Sequence, residues 1–264
     1  VDVEQLLVDI APSGVATLTF NRPDRHNAFD DAMIRETARA LADIGGNRDV
    51  RVLILAGQGK SFSAGADLNY MRRAAGYSRD ENVEDAMRLG RMLLTLRTMP
   101  IPTIAVVQGA AYGGGVGLVA ACDIVVASSS TTFALTEVKL GLVPAMISPF
   151  VIDAIGARQA GRYFQTAERF DAVEASRIGL VHEVVVDEVA LGGRRDALVR
   201  CILEGGPEAV RHAKKLAADA GGFGIDETLL LDLAGRIADR RAAPEGLEGM
   251  SAFLERRRPS WAPD

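Results

Sequence analysis

The stretch I-A-V-V-Q-G-A-A-Y-G-G-G-V-G-L-V-A-A-C-D-I-V-V-A, from Ile104 to Ala127, decides how this chain is read. It opens on the β-branched pair Val106-Val107 and passes Gly109 and the triplet Gly113-Gly114-Gly115. After Gly117 it runs through Leu118 to Cys122 into a second strand-like run, Ile124-Val125-Val126. The pattern predicts a strand, a glycine turn, a short buried helix and another strand. Glycines without Cβ atoms let a ligand approach the backbone closely, and at a helix start they leave N–H groups unpaired and aimed outward. Such groups can stabilise a developing negative oxygen. A tightly packed helix–strand crossing would use the same glycines with no ligand at all. Two other readings fail. A dinucleotide fingerprint needs glycine where Leu118 stands, and the apolar run between Gln108 and Asp123 is well short of the ~20 residues of a membrane span.

Outward from this stretch, the composition is that of a chain with one large core. Of its 264 residues 48% are hydrophobic and only 5% aromatic, so aliphatic packing must dominate. The net charge of −5 and the lack of a long basic block argue against nucleic acid as a partner. Cys122 and Cys201, in apolar helical contexts, are expected to be reduced core residues rather than a disulfide or zinc ligands. The opening V-D-V-E-Q-L-L-V-D-I has no basic segment followed by an apolar one, so the cytoplasm is the expected location and no membrane partner is expected.

Upstream, Leu6–Ile10 and Val15–Phe20 alternate around Pro12-Ser13-Gly14, a hairpin signal. A polar loop from Asn21 to Ala28 precedes a helix that Asp30 can cap and that should run to about Ile44. Val52–Leu55 is apolar throughout, as in a buried parallel strand. Gly59-Lys60-Ser61 lacks the upstream glycine of a phosphate-binding loop. Ser63-Ala64-Gly65-Ala66-Asp67 reads either as a second place where N–H groups face a ligand or as an ordinary loop with Asp67 capping a helix. The charged segment Arg72–Asp85 is expected to be irregular, before a helix ending at Met99-Pro100.

Downstream, Glu137 sits just past an expected strand, where a capping or solvated role is the usual one. Ile147–Ile155 and Ala157–Thr166 read as two helices, and Asp171 as the cap of a third. Val184–Val186 is a late strand. Helical patterns follow over Val189–Glu204, Pro207–Ala218, Ile225–Arg241 and Pro244–Arg257. Early βα alternation giving way to helices predicts an α/β core over 1–180 and a helical C-terminal part over 181–264, with no strong sequence repeat.

Taken together the motifs resemble the enoyl-CoA hydratase/isomerase, or crotonase, superfamily. Asn21-Arg22-Pro23 with Asn27-Ala28 is similar to its N-R-P…N-A loop, and Phe62–Leu68 to its F-x-A-G-A-D-[IL] segment. Gly109–Gly115 with Cys122-Asp123-Ile124, and then Glu137, Gly141 and Pro144, match the next two blocks. The resemblance implies an α/β crotonase (ClpP-like) spiral of ββα units with a helical C-terminal part that serves as trimerisation and lid region. It implies assembly as a homotrimer or dimer of trimers, and an acyl-CoA thioester as partner. No metal and no separate cofactor are implied, since coenzyme A is part of the substrate.

By the same resemblance, the N–H groups of Ala66 and Gly114 would hold the thioester oxygen while Glu137 acts as acid/base. Arg25, Ala64, Ala66, Asp67, Leu68, Asn69 and Gly114 would line the substrate and coenzyme A. The run Arg256-Arg257-Arg258 with Trp261 would either reach nucleotide phosphates or form a solvated tail.

One departure stands out: hydratases with two carboxylates carry a second Glu where this chain has Gly117. A lone carboxylate readily moves one proton between carbons, which is Δ3-Δ2 isomerisation, and can hydrate only by serving water and carbon in turn. The segment Thr136–Val186 nevertheless resembles the methylglutaconyl-CoA hydratase branch, whose substrates would call for an Arg in the pocket. Hydration of an α,β-unsaturated, branched or carboxylated acyl-CoA is therefore the leading expectation. An isomerase and a catalytically silent acyl-CoA binder are the alternatives. His26, His182 and His212 are isolated and no G-x-S-x-G elbow is present, which excludes a serine hydrolase reading.

Overall fold

The computed structural model describes residues 4–220 and 224–262. The chain begins with the hairpin β1 (Leu6–Ile10) and β2 (Val15–Phe20), then helix α1 (Asp31–Gly46). Asp30 caps α1 by accepting from the Met33 N–H, as expected of an aspartate just ahead of an apolar-periodic run. Three units of one design follow, each a long strand, a short strand and a helical segment. The first is β3 (Val52–Gly57), β4 (Ser61–Ser63), α2 (Leu68–Ala74) and α3 (Arg79–Arg97). The second is β5 (Thr103–Val107), β6 (Ala110–Tyr112) and α4 (Gly114–Ala121). The third is β7 (Ile124–Ser128), β8 (Thr132–Ala134), a 3-10 turn at Glu137–Leu140 and α5 (Ser148–Thr166). Then come β9 (Phe170–Asp171), α6 (Ala172–Arg177), β10 (Glu183–Val185) and the helices α7 (Glu188–Glu204), α8 (Pro207–Ala220), α9 (Glu227–Ala242) and α10 (Pro244–Leu254).

The long strands form one sheet in the order β1-β2-β3-β5-β7-β10, and the short ones a second, β4-β6-β8-β9. Apart from the β1–β2 hairpin and the β8–β9 pair, neighbours run parallel. This is the spiral of ββα units expected of the sequence. The large sheet is covered on both faces, which explains its unbroken apolar runs. Leu53, Leu55, Ala105, Val107, Val125 and Ala127 point into the main core. Val52, Ile54, Ile104, Val106 and Val126 pack on the other side against Leu191, Val199 and Leu203 of α7. The chain after residue 180 thus opens with a strand of the core sheet and the helix that covers it.

Several expectations need correction. The glycine turn contains the strand β6, and the helix after it starts at Gly114 rather than beyond Gly117. Glycine inside a helix costs about 1 kcal/mol, but α4 is buried along Gly115–Ala121 and wedged between neighbours that a larger residue would strike. The segment Arg72–Asp85 is mostly helical: α2 runs to Ala74, and Ser78 with Glu81 forms a capping box that starts α3. The last two helices are shorter than their patterns, because Asp226 caps α9 and α10 stops at Leu254. Cys122 is buried, and burial pushes its thiol up to about 12. Cys201 is exposed, since α7 buries the face carrying Val199 and Leu203 and turns residue 201 away. The two helices expected around residue 156 are both present, separated by Gly156 at φ 75° and ψ 153°.

The loop at 21–30 is sewn to the loop at 57–67 through a buried Asn27. Its Nδ2 donates to the carbonyls of Gln58 (2.9 Å) and Ser61 (2.8 Å), and its Oδ1 accepts from the Arg22 N–H at 2.8 Å. Phe29 N–H donates to Gly65 O and Asp67 N–H to Phe29 O, both at 2.7 Å. Asn27→Ala removes one side of three of these bonds and leaves buried groups unsatisfied. It should destabilise the fold by about 3 kcal/mol in urea unfolding with an unchanged m-value.

Candidate active site

The second and third units both end beside the first, and their turns converge on a cavity of about 470 Å³. Its polar floor is main chain: Ala64–Ala66 from the loop after β4, and Gly113-Gly114 at the start of α4. Asp67 N–H and Phe29 N–H make the bridge between residues 29 and 66, so the Ala66 N–H faces away from it. Gly114 is the first residue of α4 and its N–H has no partner within the helix. Among the described residues neither of these two N–H groups donates to a protein acceptor. Two glycines make the approach possible. Gly65 holds φ +91° with the Tyr112 carbonyl 3.1 Å from where its Cβ would be, and Gly113 holds φ +50° with Glu137 Oε1 at 3.3 Å. A side chain at Gly113 would press on the Glu137 carboxyl.

Glu137 enters from the 3-10 turn that follows β8. Its Oε2 is buried and has no hydrogen-bond partner. Burial pushes its carboxyl above the ordinary 4.5. The surroundings explain why: Phe29, Ile34, Leu89, Leu142, Met146 and Ile147 form apolar walls. The only other side-chain charge on the lining among the described residues is Asp85 of α3.

Of the residues singled out from the sequence, the cavity gathers Ala64, Ala66, Leu68, Gly114 and Glu137, with Leu68 on the rim at 71% exposure. Arg25, Asp67 and Asn69 lie off the lining. Asp67 is a brace: its Oδ1 caps α2 by accepting from the N–H groups of Asn69 and Tyr70, and its Oδ2 takes Arg22 Nη2 at 3.2 Å and Arg25 Nη1 at 3.0 Å. Burial pushes its carboxyl up, and those bonds outweigh the effect and hold it below its ordinary value. Both alternatives for the 63–67 segment therefore hold at once: a helix cap, and N–H groups turned to a cavity. Asn69 carries Arg72 on its Oδ1 at 3.0 Å. In the C-terminal tail, Arg257 is clamped by Glu248 and Glu255, each at 2.7 Å, and Trp261 Nε1 donates to Glu204 O at 3.2 Å. The tail is thus folded back on its own chain. No Arg lines the cavity among the described residues, contrary to what a carboxylated substrate calls for.

The sequence reading missed Tyr70 and Asp85. Tyr70 hydroxyl donates to Asp85 Oδ2, and Asp85 Oδ1 accepts from Arg88 Nη2 at 3.0 Å. The signal was present, since Asp85 is in helical phase with Leu89, Met92, Leu93 and Leu96, the inward stripe of α3. A carboxylate on that stripe is a polar group placed where apolar residues belong.

Gly117 has a structural account. A Cβ there would lie 2.4 Å from Ile147 Cγ2 and 3.4 Å from Leu93 Cδ1. The volume a second carboxylate would need is filled with hydrocarbon.

Comparison with known proteins agrees with this geometry. The family model for enoyl-CoA hydratase/isomerase matches residues 11–264. An enoyl-CoA hydratase of Shewanella pealeana superposes with a TM-score of 0.93 at 40% identity, over 98% of this chain and 97% of that one. An enoyl-CoA hydratase of Mycobacterium smegmatis gives 0.91 at 35% identity, over 98% and 99%. AtuE of Pseudomonas aeruginosa gives 0.93 at 36%, over 98% and 100%. The fold is that of the crotonase superfamily, and the chain belongs to its enoyl-CoA hydratase/isomerase family, whose members act on acyl-CoA thioesters.

Gly117→Glu alone should not supply a second working carboxylate. It should instead lower stability by about 2 kcal/mol or more through overpacking and an unpaired buried acid. Adding Ile147→Ala should recover part of that loss in thermal unfolding.

Proposed function

We propose that this protein is an enoyl-CoA hydratase that adds water across an α,β-unsaturated acyl-CoA thioester with Glu137 as its single acid/base. The observation that carries the proposal is the buried, unpartnered Glu137 Oε2 in one cavity with the free N–H groups of Ala66 and Gly114. The thioester oxygen accepts from both N–H groups. The positive end of α4 adds to their field, and the apolar walls keep that field unscreened. Glu137 as carboxylate takes a proton from water as the hydroxide oxygen bonds to C3. The C2–C3 π electrons move toward the carbonyl, and the resulting enolate oxygen is held by the two N–H groups. The protonated Glu137 then delivers that proton to C2. One water is added, and both new bonds form on the face that Glu137 addresses. A raised carboxyl pKa suits a group that must take a proton and give it back.

The specific observation that favours a second reading is Ile147 in place of a second carboxylate. A Δ3-Δ2 isomerase needs only one base to carry a proton between C2 and C4. Incubation with crotonyl-CoA and with a 3-enoyl-CoA separates the two: hydration consumes the conjugated thioester and adds one water by mass, whereas isomerisation creates the conjugated thioester with no change in mass. Failure to hydrate crotonyl-CoA alongside conversion of the 3-enoyl substrate would transfer the assignment to the isomerase. We extend the proposal to assembly as a trimer or dimer of trimers. Supporting it are the apolar residues that α9 and α10 leave outside, among them Leu231 (75% exposed), Phe253 (82%) and Leu254 (79%).

Glu137→Gln should lower kcat by about 10²–10⁴-fold. In the wild type, kcat/KM should rise with pH along a single acid limb centred above 4.5, because the base must be ionised. The stability sign is opposite. A carboxyl whose folded pKa is raised favours the fold at low pH, and this contribution is lost as pH rises through the folded value. Glu137→Gln should therefore raise the melting temperature at pH 7 and leave it unchanged near pH 4.

A further inference from the structure

The wall of the cavity formed by α2 and α3 carries a linked pair of polar groups, Asp85 and the Tyr70 hydroxyl, that the proposed reaction does not use. Asp85 is 8% exposed and lines the cavity together with Tyr70, Ala86 and Leu89. Both of its oxygens are occupied, Oδ2 by the Tyr70 hydroxyl and Oδ1 by Arg88 Nη2. Arg88 is held behind the wall, off the lining, and its Nη1 also reaches Glu84 Oε1 at 3.3 Å. Two carboxylates thus share one guanidinium, so the cluster of Glu84, Asp85 and Arg88 carries one net negative charge. Burial, together with the Asp85 carboxylate beside it, pushes the Tyr70 phenol well above its ordinary value, so the hydroxyl stays protonated and committed to Asp85. Nearby, Arg73 stacks over the Tyr70 ring at 5.9 Å while its guanidinium is taken up by Asp31 at 2.7 Å. Among the described residues, then, the lining offers carboxylates at Asp85 and Glu137, acceptor lone pairs on Tyr70, and no cation.

We propose that Asp85, braced by Tyr70 and Arg88, is a specificity residue that admits acyl groups with an uncharged distal end and turns away those ending in a carboxylate. This rests on the reading of the cavity as an acyl-CoA site. A second carboxylate brought into a cavity of this size meets Asp85, whose partner Arg88 stands behind the wall and is already shared with Glu84, and like charges in a partly desolvated site repel strongly. A distal hydroxyl or plain hydrocarbon meets no such penalty, and a hydroxyl can donate to the Tyr70 oxygen. The likeness of Thr136–Val186 to a branch with carboxylated substrates covers the end of the third ββα unit and the elements from β9 to β10, whereas Tyr70 and Asp85 lie in the first unit.

The test is direct binding by calorimetry of two saturated thioesters that cannot be turned over, butanoyl-CoA and glutaryl-CoA. They share the coenzyme and differ in the distal carboxylate. The wild type should bind butanoyl-CoA about 30-fold more tightly. Asp85→Asn should bring the two affinities within about 3-fold or reverse their order, because Arg88 loses one of its two carboxylates. Tyr70→Phe keeps the charge and should keep the preference. Equal binding of both thioesters by the wild type would overturn the proposal. So would an unchanged preference in Asp85→Asn. Binding of neither thioester would instead overturn the acyl-CoA reading of the cavity. The wild-type comparison needs no variant, so the proposal stays open to refutation even if Asp85→Asn does not fold.

Discussion

The proposed reaction needs the N–H groups of Ala66 and Gly114, nearly fifty positions apart, to face one cavity, and side-chain packing alone does not place main chain to that tolerance. Hydrogen bonds do. Asn27, fully buried at φ +54°, spends its side chain on backbone groups of its own loop and of the loop at 57–67. Phe29 then pairs with residue 66 as a one-residue strand. Because Ala66 lies on that bridge without donating to it, pairing the loop is what turns its N–H toward the cavity. Arg22 completes the brace, bonding Ala28 O at 2.8 Å, Asp30 at 2.9 Å and Asp67 at 3.2 Å. The N-R-P…N-A loop therefore braces the cavity's main chain from behind, and among the described residues the chain from 21 to 30 touches the cavity only at Phe29.

The repeated ββα architecture supplies the other half of the placement. Each unit puts a long strand in the large sheet and a short strand in the small one, so successive turns stack along the spiral axis. Pairing of Ala111 with Phe133, and of Ser63 with Ala111, brings the turns after β4, β6 and β8 side by side. Those turns carry Ala66, Gly114 and Glu137. Sheet register thus translates into the relative height of the two N–H groups and the carboxylate.

Much of this was legible from residues. Strands buried on both faces showed as unbroken apolar runs at 52–55 and 124–126, and caps at Asp30, Asp67 and Asp171 marked helix starts correctly. The repeat itself was not, because its units share geometry without sharing sequence: their helical segments are the pair α2–α3, the buried glycine-rich α4 and the kinked α5. The strand β6 was hidden because three residues between glycines read as a turn, and its β-identity comes from pairing with β4 and β8 rather than from propensity. At the site, the glycines and Glu137 could be found in order. The link between Tyr70 and Asp85 could not, because it joins two helices whose facing depends on tertiary packing. Arg25 and Asn69 sit among the right motif residues yet lie off the lining. Motif membership places a residue near a site, while only the fold says whether it faces in.

Gly117 and Ile147 show how one missing side chain reshapes the remaining chemistry. With hydrocarbon where a second acid would stand, burial raises the Glu137 carboxyl against the smaller, opposite pull of a backbone hydrogen bond. In the proposed reaction a lone carboxylate acts as base toward water and then as acid toward carbon, and it works best when neither form is strongly preferred. An apolar pocket moves a carboxyl toward that balance without a partner. The enolate of the proposed reaction would face one protonated acid rather than an acid and a carboxylate. The stabilisation of that charge would then fall almost wholly to the N–H groups of Ala66 and Gly114. The loop braced by Asn27 therefore bears on the rate of the proposed reaction through the Ala66 N–H it orients.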